Sequence, residues 1–138
     1  MNTPPVAPRV VAAVSPDLQT RIRAIAPACE LRFVASAEAL LAEIEDARCG
    51  MLIVGVHFDE STALAALERV LARGEAFPVV CVRGRPFSAL GKPTLDALRL
   101  ASRALGVQNF IDLIEYPDDA AGNARVRAML ERLIDRPA

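Results

Sequence analysis

Short apolar runs alternate with amphipathic stretches five times along the chain. The runs are rich in β-branched residues and short enough to be strands. The clearest run, residues 50–58, is apolar at nearly every position, as expected for the centre of a parallel sheet that is covered on both faces. The other four predicted strands are residues 9–15, 29–35, 77–82 and 108–114.

Each predicted strand is followed by residues whose apolar positions recur at helical spacing. Ser15 and Pro16 suit the start of the first helix, since serine is a favoured N-cap and proline a favoured first helical residue. Ser36 caps the second helix, and the fifth spans about residues 118–135, where Gly122 weakens its first turn. Alternating strands and helices predict an α/β fold with three layers. Five parallel strands form a doubly wound sheet, and the five helices are divided between its two faces.

Length and composition favour one ordinary domain. The chain has 138 residues, of which 53% are hydrophobic, enough to build a core without disulfides or metal. Residues 1–8 contain three prolines and no periodicity, so we predict a disordered lead before a single domain over residues 9–138. The chain has no apolar run of about 20 residues and no secretory leader pattern, which predicts a soluble protein without a membrane partner.

Charge and cysteine content narrow the classes of function. With 16 basic and 17 acidic residues, 4% aromatic residues and no tryptophan, the chain lacks the basic surface and stacking rings typical of nucleic-acid binding. Its three cysteines are widely spaced and form no CxxC pair. We therefore expect neither a disulfide framework nor a zinc site, and we expect the reducing cytoplasm as the compartment.

Three segments resemble the receiver domain of bacterial response regulators: RVVAAVSPD from residue 9, GMLIVGVHFD from residue 50 and ALGVQNFIDL from residue 104. The resemblance covers residues 9–135 and implies the flavodoxin-like strand order 2-1-3-4-5. It also implies a set of residues at the strand ends that receivers use to accept a phosphoryl group. An acidic pair follows the first strand and holds Mg²⁺, an Asp ends the third, a Ser or Thr ends the fourth and a Lys ends the fifth.

This chain departs from that set at every position. Residues 13–15 read Ala-Val-Ser in place of the acidic pair, and Gly55 stands at the phosphoacceptor position. Arg83 stands at the hydroxyl position and Leu113 at the lysine position. Asp59 lies four residues beyond the acceptor and is interpreted as a helix start. The chain is therefore expected to be a degenerate pseudo-receiver that binds no metal through these residues and accepts no phosphoryl group.

The strand ends nevertheless form the rim where ligands bind in open α/β sheets. The side chains expected on this rim are Ser15, His57, Arg83 and Arg85. Two arginines beside helix N-termini could hold an anion; alternatively they are solvated or pair with Asp17, Asp59 and Glu60. Ser15 is explained by its capping role and His57 as a half-buried strand-end residue. No glycine-rich phosphate loop and no nucleophile–base pair is present, so we predict neither an enzyme nor a cofactor.

Two further features suggest contact with proteins. The loop at residues 83–93 contains Phe87 and Leu90, which either dock a partner or cover the vacated site. In receivers, the fourth helix, fifth strand and fifth helix form a common dimer face. The charged residues expected on that face here are Arg99, Arg103, Asp112, Arg125 and Arg127. The leading hypothesis is a protein-interaction module in bacterial signalling, with a protein or a second copy as partner; the alternative is a domain that binds an anionic metabolite or phosphorylated ligand at the Arg83/Arg85 rim.

Overall fold

The sheet has the predicted architecture. The computed structural model describes residues 9–27, 29–45, 49–55, 69, 72, 77–83 and 109–134. Five parallel strands form one sheet in the order β2-β1-β3-β4-β5, which confirms the predicted order. The strands are β1 (Arg9–Ala13), β2 (Glu30–Val34), β3 (Cys49–Gly55), β4 (Val79–Arg83) and β5 (Asn109–Asp112).

Three helices fall within the described residues. A 3-10 turn at Pro16–Leu18 leads into α1 (Gln19–Ile25), and α2 (Ala37–Ile44) follows β2. A second 3-10 turn, Leu113–Glu115, precedes α3 (Ala120–Ile134), which is the fifth predicted helix. The third and fourth predicted helices lie outside the described residues, apart from positions 69 and 72, which are helical. None of the described helices is long and apolar enough to span a membrane.

The two faces of the sheet carry separate halves of the core. Side chains alternate between faces along a strand, and all five positions of β1 are buried because this strand has helices on both sides. Val10 and Ala12 face α1 and α3, whereas Val11 and Ala13 face α2. The helical residues that complete the core are Ile22, Ile25, Val126 and Leu130 on the first face, and Leu40 and Ile44 on the second.

The predicted helix caps have different outcomes. Ser36 Oγ accepts a hydrogen bond from the backbone N–H of Ala39 at 3.1 Å, which confirms the predicted cap of α2. Ser15 stands at the predicted N-cap position and Pro16 at the start of the first turn, but the Ser15 hydroxyl makes no capping bond, so that part of the prediction is wrong. The first turn is instead a 3-10 turn that closes through the backbone, where the Ser15 carbonyl accepts from the N–H of Leu18 at 3.0 Å.

Arg21 joins the beginning of the fold to its end. From α1, its guanidinium donates to the carbonyl oxygens of Leu113 at 2.8 Å and Tyr116 at 2.6 Å. It also donates to the carbonyl of Pro117 at 3.2 Å and to Asn123 Oδ1 at 3.1 Å. Carbonyls in a turn need donors when they lose water. One side chain therefore satisfies three carbonyls of the connection between β5 and α3.

Candidate functional site

The candidate site lies at the carboxyl ends of β1, β3, β4 and β5. The register places Ala13 beside Val54 and Gly55 beside Val82, and Arg83 lies beside Asp112. The positions that the sequence singled out at these strand ends therefore share one edge of the sheet, the edge where open α/β folds bind ligands.

The centre of this edge is small and apolar. Val14 is only 2% exposed, and its Cγ1 would lie 3.4 Å from a Cβ built on Gly55. That distance is an ordinary van der Waals contact, so a Cβ at position 55 would fit directly against the valine. Leu113, at the position where receivers carry a lysine, is fully buried in the core beneath α1 and α3. Neither side chain offers the oxygen ligands or the positive charge that phosphoryl chemistry needs.

Arg83 and Asp112 form a buried ion pair at the ends of β4 and β5. Arg83 Nε donates to Asp112 Oδ1 at 3.1 Å, and its Nη2 donates to Oδ2 at 2.7 Å. The two side chains are 12% and 4% exposed. This two-point geometry is the strong form of the arginine–carboxylate contact. Asp112 Oδ1 also accepts from the backbone N–H of Ile114 at 3.2 Å, so the carboxylate fixes the turn that ends β5 as well.

The pair changes the interpretation of two predicted residues. Arg83 lies at the strand end as predicted, but its charge is matched by Asp112, a partner not among the acidic residues considered for it. Asp112 was expected on an exposed dimer face, yet it is buried and paired. Arg83 directly follows one predicted strand, and Asp112 lies two residues before the end of the next. Opposite charges at the ends of neighbouring strands are the signal that could have revealed the contact.

The remaining predicted site residues are only partly described. Ser15 is half-buried in the turn that follows β1. The positions of His57 and Arg85, together with Asp59, Glu60, Phe87, Leu90, Arg99 and Arg103, lie outside the described residues. On α3, the guanidinium of Arg125 lies 5.6 Å from the centroid of the Tyr116 ring. Arg127 donates to the Ala24 carbonyl on α1, so it contributes to helix packing.

The described thiols and carboxylates do not cluster as metal ligands would. Within the part of the chain that the structure describes, no group of three or more His, Cys, Asp or Glu residues could hold a metal ion. Cys29 and Cys49 are half-buried and Cys81 is buried, all as free thiols. Burial raises the pKa of the Cys29 thiol, which keeps it in the less reactive protonated form.

Comparisons with known proteins find similarity in structure and none in sequence families. No family model matches the sequence, and no curated protein matches it. Solved structures do match: NtrX from Brucella abortus superposes with a TM-score of 0.67 at 21% identity, covering 95% of this chain and 27% of that chain. The signal receiver domain of an HD domain-containing protein from Pseudomonas fluorescens Pf-5 gives 0.67 at 13% identity, with 94% and 95% covered.

A response regulator from Thermotoga maritima also has a TM-score of 0.67, at 12% identity, with 94% of this chain and 99% of that chain covered. The chain therefore has the fold of response-regulator receiver domains. It spans about a quarter of the NtrX chain and nearly the whole of the two shorter proteins.

Proposed function

We propose that this domain is a cytoplasmic pseudo-receiver that acts in signal transduction by binding a protein, without phosphorylation and without catalysis. The observation that carries the proposal is the contact between Val14 and Gly55. In a working receiver, this is where an acceptor carboxylate and Mg²⁺ would meet. Here a glycine meets a buried isopropyl group.

The neighbouring strand ends support the same proposal. A receiver needs a hydroxyl and a lysine that can contact the phosphoryl group; Arg83 and Leu113 stand at those positions. The first is held by Asp112 and the second is buried in the core. Neither residue is therefore placed to contact a phosphoryl group, which supports a role in binding without phosphorylation.

We propose that the surface beside β5 and α3 contacts the partner, which is a protein or a second copy. Ile114, in the 3-10 turn after β5, is 43% exposed and is the large exposed hydrophobic residue of the described part. A single exposed apolar side chain is ordinary on a protein surface, so Ile114 marks a position at which to test the contact.

The proposal predicts the outcome of a phosphorylation experiment. Incubated with Mg²⁺ and a small acyl-phosphate donor, the protein is expected to show no phosphoryl adduct by intact mass, while a working receiver treated in parallel is modified. The variant Gly55→Asp is expected to remain unmodified too. Its Cβ fits beside Val14, but its carboxylate finds neither an acidic pair nor a lysine. Stoichiometric acyl phosphate on the native chain would contradict the proposal, and modification of the variant would show that the rest of the site is intact.

The alternative function, anion binding at the Arg83/Arg85 rim, has less support because Asp112 neutralises Arg83. A ligand that binds the folded state raises the melting temperature by mass action. We expect the same melting temperature in millimolar inorganic phosphate as in chloride of equal ionic strength. A saturable rise that is specific to phosphate would favour the alternative, and its loss in Arg85→Gln would assign it to the rim.

A further inference from the structure

Among the described strands, β2 lies at an edge of the sheet. It pairs with β1 over all five residues in one unbroken register. Edge strands present unpaired N–H and C=O groups, and proteins commonly protect them with proline, charged side chains (especially lysine) or a bulge. The sequence of β2, Glu-Leu-Arg-Phe-Val, contains no proline or lysine, and its pairing with β1 contains no bulge. Its two charged side chains, Glu30 and Arg32, therefore decide which strand can pair with it.

An open groove of about 550 Å³ lies beside β2 and α2. It is lined by Arg9 at the start of β1, by residues 32–35, and by Ala39, Ala42 and Glu43 on α2. Ala35 and Ala42 are exposed, so no bulky side chain stands at these two positions beside the strand.

The charges of β2 determine which occupant fits. Glu30 and Arg32 lie on one face of the strand, two residues apart, and their side chains are 44% and 49% exposed. Glu30 also binds the buried Arg9 of its own chain at 3.2 Å, so a second copy would share this carboxylate. In an antiparallel pair of two β2 strands centred on Leu31, each Glu30 lies opposite the Arg32 of the second copy. Centring the pair on Glu30 or on Arg32 instead places like charges opposite each other, which is unfavourable.

We propose that two copies of this chain associate through antiparallel pairing of their β2 strands, centred on Leu31. The contact is isologous, because each strand offers the same residues to the other. It joins two five-stranded sheets into one continuous sheet and places the two α2 helices on the same side of it. This surface lies at the opposite end of the sheet from β5, so it leaves the face beside Ile114 available to a different protein.

The first test reverses one charge. Arg32→Glu places Glu30 opposite a glutamate in both halves of the contact, and we expect the dimer dissociation constant to rise about 30-fold, since both cross-strand pairs change from attraction to repulsion. Within the described residues, the half-exposed Arg32 side chain makes ion pairs at 3.4 Å to Glu30 and 3.7 Å to Glu43, and surface pairs of this kind contribute little, so the fold should persist. The control is Arg132→Glu, an equal charge change on the exposed surface of α3, which should leave dissociation unchanged. Sedimentation equilibrium measures each variant, with circular dichroism to confirm folding.

The second test reads the register by cross-linking. In a Cys29→Ser background, Leu31→Cys places two thiols opposite each other at the centre of the proposed pair. Opposed Cβ atoms in an antiparallel pair lie about 4.5–5.5 Å apart, close to disulfide distance. Mild oxidation should give a covalent dimer of Leu31→Cys, whereas Glu38→Cys on the exposed side of α2 should stay monomeric. A native chain that is monomeric at millimolar concentration, an unchanged constant in Arg32→Glu, or equal cross-linking at position 38 would each overturn the proposal.

Discussion

Replacing Asp112 by alanine is expected to lower the free energy of unfolding by about 3–4 kcal/mol. The substitution leaves the guanidinium of Arg83, which is 12% exposed, without the carboxylate that binds it at two points. Removing one partner of a buried ion pair typically costs about this much. Urea unfolding followed by circular dichroism measures the change.

Two variants separate the ion pair from other roles of the carboxylate. Asp119 also accepts a backbone hydrogen bond, from the N–H of Gly122 at 2.7 Å, but it is exposed. Asp119→Ala should therefore cost only about 1 kcal/mol, as for a lost helix cap. Adding Arg83→Met to Asp112→Ala removes the charge that Asp112 balanced and should recover part of the lost stability. If Asp112→Ala costs no more than Asp119→Ala, the pair has little energetic weight.

Replacing Gly122 by alanine should destabilise the protein by about 3 kcal/mol, although helix propensity alone predicts a gain of about 1 kcal/mol. Gly122 is buried where α3 begins. A Cβ there would collide with the carbonyl oxygen of Pro117 and lie 2.9 Å from its carbonyl carbon. Both atoms belong to backbone that Arg21 holds, so neither can move without disturbing that contact. Overpacking of a closely packed site typically costs about 1–3 kcal/mol, and the rigid backbone here places Gly122→Ala at the upper end.

The opposite exchange in the same helix provides the matched control. Ala124 lies two positions further along α3 and is exposed. Ala124→Gly should cost about 1 kcal/mol from propensity. Both variants exchange glycine and alanine in one helix. Chemical unfolding of the two therefore separates the steric cost at position 122 from the effect of helix propensity. An increase in stability in Gly122→Ala would show that the close approach to Pro117 is not rigid.

Local patterns in the sequence were sufficient to predict the sheet. The five apolar runs became the five strands in the order that the resemblance implied. Their ends were harder to predict. Residues 108–114 were one predicted strand, but β5 ends at Asp112 because its carboxylate accepts the N–H of Ile114 and turns the chain. A side chain that competes for the backbone in this way leaves no trace in hydrophobic periodicity.

The sequence predicted which receiver residues the candidate site lacks more accurately than it predicted how the residues present contact one another. The sequence shows that Gly55 lacks a carboxylate, but the packing of Val14 beside it depends on how β1 and β3 align. The partner of Arg83 lies 29 residues away, and register alone brings the two together. Gly122 was interpreted from helix propensity as a weakness. The neighbour that makes glycine necessary, Pro117, lies outside the helix, so a rule about helices could not include it.

The dependence of α1 on the last helix has a consequence for synthesis of the chain. Ile22 and Ile25 are buried against Val126 and Leu130, and Arg21 binds Leu113, which lies 92 residues further along the chain. At about 5–20 residues per second, a ribosome takes several seconds to make that distance. During this time the side chains of Ile22 and Ile25 lack the partners that α3 supplies. Completion of this half of the core is therefore delayed until α3 has left the exit tunnel.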